Sequence, residues 1–241
     1  MNDTTADDSA SGSTDAEPNM AATYVMATVA LGLVLVLLFW PAGTIDWRRG
    51  WLFLTLLVVA TFFAIGHIRR ENPALFAARR KFQQGTKGWD LILASLAGLL
   101  FLAVLPLAAL DDVRFQWAPQ SVWVQLAGYV LFCAGFTGTT WAQSVNPFFE
   151  PGVRIQTERN QTAIDTGPYA YVRHPGYAFA IPMAAGTALS LGSLIALIPV
   201  AAMAIVLAIR TLAEDDLLKR DLAGYSDYAA RVKHRWIPGV W

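Results

Sequence analysis

Two short stretches hold the residue types that chemistry needs. The first is "GPYAYVRHPGY", residues 167–177, which sets Arg173, His174 and the Tyr177 hydroxyl at the mouth of a long apolar run. The second is "RTLAEDDLL", residues 210–218, in which Arg210 and Glu214 stand four apart and therefore on one helix face. An arginine fork can hold a carboxylate, an acid can accept from an ammonium, and tyrosines can pack on a cation or a flat ring. Read singly, each stretch is ordinary. Arg173–His174 is an interfacial anchor, and Arg210–Glu214 is a helix-end ion pair. The acids Asp215 and Asp216 and the aromatics Tyr225 and Tyr228 read as a solvated face and an interfacial belt. It is their occurrence together that points to a site.

The elements that must position them are membrane helices. Of 241 residues, 55% are hydrophobic and 15% charged, against about 25% charged in soluble domains. The fold class this implies is all-α: a multi-pass integral membrane bundle of about five to six transmembrane helices, ending in a helical hairpin. Spans are expected in residues 21–40, 51–68, 91–110 and 122–143. From Pro175 to Ile209 no residue is charged, and a single helix of that length would be about 52 Å long, well beyond a ~30 Å hydrocarbon core. Two helices bent near Gly192 fit better. Pro175 suits the first turn of the first of them, which puts His174 at a helix entrance where anionic groups are favoured.

Charge placement orients the bundle. Residues 69–87 hold six bases and one acid, so this loop is expected to be cytoplasmic. Alternation then brings the polar segment 146–176 and the basic C-terminal tail to the same side. Three regions are expected: a disordered acidic tail (1–20), N-terminal transmembrane helices (21–145) and a catalytic region (146–241). The acidic start lacks the basic n-region of a signal peptide. Composition leans towards a prokaryotic inner (plasma) membrane with the catalytic face cytoplasmic. Zero formal net charge gives no support to a nucleic-acid partner. The single cysteine, Cys133, matches no metal-ligand spacing, and no metal site is expected. Phosphate loops, nucleophile elbows and zinc-helix motifs are absent from the sequence.

The combination "GPYAYVRHPGY", an apolar hairpin, and "RTLAEDDLLKRDLAGYSDYAARVKHRWIPGVW" resembles the isoprenylcysteine carboxyl methyltransferase family and its phospholipid-methyltransferase relatives. The likeness covers about residues 145–241, with a weaker part at "NPALFAARRKFQQGTKGWD". It implies methyl transfer from S-adenosylmethionine to a lipophilic small-molecule or prenylated acceptor drawn from membrane lipid, with the carboxylate of an isoprenylcysteine-like substrate as one candidate. The cofactor contacts it implies are Gln156, Gln161, Thr162, Ala163, Ile164, Tyr169, His174, Pro175, Gly176, Tyr177 and Glu214. The catalytic set it implies is Arg173, Arg210 and Glu214, with Arg210 on the substrate side. Gln161, Asp215 and Phe179 depart from residues common in that family, and the loop before Gln161 is two residues shorter than in its eukaryotic members. The alternative is an NADPH-dependent membrane reductase of the sterol-reductase type, which has a similar C-terminal helical layout but fits the Arg-x-x-x-Glu-Asp helix and "YVRHPGY" less well.

Overall fold

Apolar stretches of helical length dictate the architecture. The computed structural model describes residues 20–73, 75 and 85–241, and these form seven α-helices and no strand. Helix α1 is Met20–Ala42 and α2 is Arg48–Glu71; α3, Gly88–Ala109, runs on through a π-helical turn at Leu110–Phe115. Helix α4 is Val122–Val145, α5 is Pro175–Ser190, α6 is Leu197–Asp221, and a short α7 covers Tyr225–Arg231. Among the described residues, four helices are long and apolar enough to cross a membrane: α2, α3 with its π turn, α4 and α6. The chain is thus a multi-pass helical membrane protein. Helix α1 contributes a shorter described apolar stretch, Ala27–Ala42. The expected C-terminal hairpin is present, with Gly192 at φ +85° in its turn. Its first arm, α5, has 16 residues. It rises only about 24 Å, too short to cross a ~30 Å core unaided. The expected acidic tail falls almost wholly in residues 1–19, and part of the basic loop in 76–84, outside the described residues.

Helix α5 is held in place by its fit against α4. A Cβ on Gly135 would overlap the Met183 backbone, and one on Gly186 would overlap that of Phe132. With no hydrophobic drive between helices in lipid, close backbone approach of this kind is what associates them. Phe132 also meets Phe53 of α2 edge-on, with ring centroids 5.3 Å apart. The loops after α1, α3 and α5 meet at one end. There Asp112 accepts from Trp47 Nε1 at 2.7 Å and pairs with Arg49. Asp111, buried, accepts from Ser193 Oγ at 2.6 Å and from the Ala118 N–H at 3.0 Å. These bonds explain why helical structure persists to Phe115 where the charges predict a loop. The polar segment between α4 and α5 and the C-terminal tail lie together at the other end, as the alternation of spans requires.

Candidate active site

The segment from Asn146 to His174 carries few apolar residues, so hydrogen bonds shape it. The Asn146 side chain accepts from the Phe148 N–H at 2.9 Å and donates to the Tyr169 hydroxyl at 3.0 Å. Gln156 is buried and its polar atoms are used within the loop. Its N–H donates to Gln161 Oε1 at 2.7 Å, its Nε2 to the Phe148 carbonyl at 2.9 Å, and its Oε1 accepts from Arg159 at 2.7 Å. Residues 161–165 then run without regular structure to a tight turn, Gly167–Ala170, opened by Pro168. That turn buries the Tyr169 ring, and the Tyr169 backbone carbonyl accepts from the Tyr228 hydroxyl at 2.8 Å.

Pro175 opens α5 and His174 is its N-cap, with φ −125° and ψ 61°. The missing side chain of Gly176 admits the Phe149 ring, which a Cβ would meet at 2.8 Å. The neighbouring Arg173 points inward. Nε and Nη2 donate to the two oxygens of Asp215 at 2.8 and 2.9 Å, and Nη1 donates to the carbonyls of Val232 and Lys233 at 2.7 and 2.8 Å. The backbone N–H groups of Arg173 and His174 donate to the carbonyls of His234 and Arg235, both at 2.9 Å. The Arg-His step therefore docks the tail. Asp215, fully buried, is not a solvated acid; it also pairs with Lys219 at 2.9 Å and accepts from the Tyr225 hydroxyl at 3.0 Å. Four of the five Arg173 donors are taken, so the fork has no free pair of donors for a two-oxygen grip on a ligand carboxylate.

Glu214 lies at the centre. The Tyr177 hydroxyl donates to it at 2.6 Å, and His174 Nδ1 stands 3.8 Å away. His174 and Tyr177 stack, with centroids 5.9 Å apart and planes at 7°. Arg210 sits over the Tyr177 ring at 5.4 Å and pairs with Asp90 of α3. Around these groups is a cavity of about 190 Å³, and every candidate residue named from the sequence lines it. Phe149, Leu218, Leu222, Tyr225 and Tyr228 also line it, as does the Glu150–Arg154 ion pair. Tyr225 and Tyr228 are buried, not interfacial. Burial pushes the phenols of Tyr169, Tyr225 and Tyr228 well above the ordinary tyrosine value, and the Asp215 charge raises Tyr225 further. All three remain neutral donors at physiological pH. Sequence reasoning missed Asp90. The available signal was an acid inside the first turn of an apolar helix, which is costly unless paired.

The site is thus a polar cavity at one end of a bundle of membrane helices, lined by glutamates, arginines, an imidazole and tyrosines. Residues 129–220 match the model of the isoprenylcysteine carboxyl methyltransferase family. The match begins within α4 and ends in α6, so Asp90 and the tail that closes the cavity lie outside it. No curated protein matches the chain.

Proposed function

We propose that the chain is an S-adenosylmethionine-dependent methyltransferase that methylates a lipophilic acceptor at the cytoplasmic face of the membrane. The observation that carries this reading is the convergence of His174 and Tyr177 from α5 with Glu214 from α6 on one cavity wall. The donor set suits the cofactor. The Glu214 side chain is 21% exposed, with only a hydroxyl as a close partner, and can accept from the ammonium group. The N-terminus of α5 at Pro175–Gly176 favours the carboxylate. Tyr169, Ile164, Leu218 and Leu222 offer an apolar wall to the adenosine. When bound, S-adenosylmethionine supplies an electrophilic methyl group on a sulfonium.

The chain's own contribution is positioning. Catalysis by alignment of two bound reactants needs a rigid frame more than an acid or base. Arg173 and Asp215 supply that frame by fastening the tail to the mouth of α5. Arg210 keeps Nη1 for an acceptor, since its other nitrogens are engaged with Asp90 and the Pro151 carbonyl. A lipid-borne carboxylate suits that nitrogen. It is ionised at pH 7, with an ordinary value near ~4, and attacks without a general base. Incubating the purified protein with tritium-labelled S-adenosylmethionine and a membrane lipid extract tests the reaction. Label should enter the organic phase and be released by mild base, as a methyl ester is. Label resistant to base would contradict the carboxylate, and an unlabelled organic phase would contradict the activity.

A further inference from the structure

Arg210 and Glu214 have the spacing at which an arginine and a glutamate pair across a helical turn. They do not pair: no ion pair joins them among the described residues. The Arg210 guanidinium is turned instead to α3. Nε donates to Asp90 Oδ1 at 2.6 Å, Nη2 donates to Oδ2 at 3.1 Å, and Nη2 also donates to the Pro151 carbonyl. Asp90 is fully buried and is fixed in turn by the Val153 N–H, which donates to Oδ2 at 2.7 Å. It does not line the cavity.

We infer that Asp90 is a positioning residue that sequesters Arg210, withdrawing the cation from Glu214 and so keeping that carboxylate free for the ammonium group of the cofactor. The inference rests on the cofactor reading above. A guanidinium released from Asp90 would find Glu214 one turn along its own helix and compete with an ammonium for the same oxygens. Arg173, the other buried arginine of the cavity, cannot compete, because Asp215 and two tail carbonyls hold it. The other lining acid, Glu150, is already paired with Arg154, so these two long-range contacts keep Arg173 and Arg210 off Glu214. Asp90 acts on the cofactor without touching it.

The test uses the full chain in detergent and two probes. S-adenosylhomocysteine carries the ammonium; 5′-methylthioadenosine keeps the nucleoside and thioether but lacks the amino-acid part. Asp90→Asn preserves the shape of the side chain and an acceptor for the Val153 N–H while removing the charge that holds Arg210. It should weaken S-adenosylhomocysteine at least about tenfold by calorimetry and leave methylthioadenosine within about twofold. Adding Arg210→Gln removes the competing cation and should return S-adenosylhomocysteine to within about threefold of wild type. Unchanged affinity in Asp90→Asn would overturn the inference. So would equal weakening of both probes that the second substitution fails to reverse, since that is the signature of a merely structural role. A wild-type protein that binds neither probe would instead overturn the cofactor reading itself, and this inference with it.

Discussion

Tyr177 and Glu214 join α5 to α6 through one hydrogen bond, the hydroxyl donating to Oε2 at 2.6 Å. The bond aims the carboxylate into the cavity. Tyr177→Phe removes the donor while keeping the ring that lies beneath Arg210. A hydrogen bond to a charged group contributes about 1.5–3 kcal/mol, so cofactor affinity should fall roughly tenfold with the fold intact. Calorimetry beside a thermal melt checks both halves of the statement.

The tail should come loose when Arg173 is changed. Arg173→Lys cannot keep the two-oxygen contact to Asp215 together with the Val232 and Lys233 carbonyls. Breaking a buried pair costs about 3–5 kcal/mol. Limited proteolysis in detergent should cut between α7 and Trp241 in the variant and spare the wild type. Equal resistance would show that the tail is held by other means.

Helix α5 has no room to move away from α4. Gly186→Ala forces a methyl group into the Phe132 backbone, and overpacking of this kind costs about 1–3 kcal/mol. A lowered melting temperature together with weaker cofactor binding is expected, because α5 carries His174 and Tyr177. Gly32, beside which a Cβ meets nothing, is the control; Gly32→Ala should leave both quantities unchanged.

Tyr169, Tyr225 and Tyr228 make stability fall at high pH. Their folded-state values lie above the unfolded value near ~10 because burial favours the neutral phenol. Such groups contribute stability that is fully present below about pH 10 and is lost as pH rises from there through the folded-state values. A tyrosinate absorbance titration should therefore show these three ionising late, together with unfolding, and no effect from them between about pH 6 and 9. Early ionisation in a still-folded protein would contradict the burial.

How much of this was legible in the sequence follows from the range of each interaction. Helix order and the α5–α6 hairpin could be read because apolar length and the Gly192 turn are local signals. The candidate residues converge on one cavity because alternation of spans already places residues 146–176 and the chain after Arg210 at one end. What could not be read depends on partners far apart in the chain. Arg210 and Asp90 are 120 positions apart, and local spacing points Arg210 to Glu214. Arg173 looks like a free fork until the tail carbonyls, nearly 60 residues further on, take its Nη1. The π turn past Leu110 is likewise held by Trp47, Arg49 and Ser193 from other loops.

The proposed function requires the cavity at the meeting of α5 and α6 to bind S-adenosylmethionine through Glu214. Isothermal titration of S-adenosylmethionine into the purified wild type and into Glu214→Gln decides the point. Saturable one-to-one binding by the wild type is expected, with a loss of at least about thirtyfold in the variant, or roughly 2 kcal/mol for a charge-assisted contact. Equal affinity in the two proteins, or no binding to a folded wild type, would contradict it.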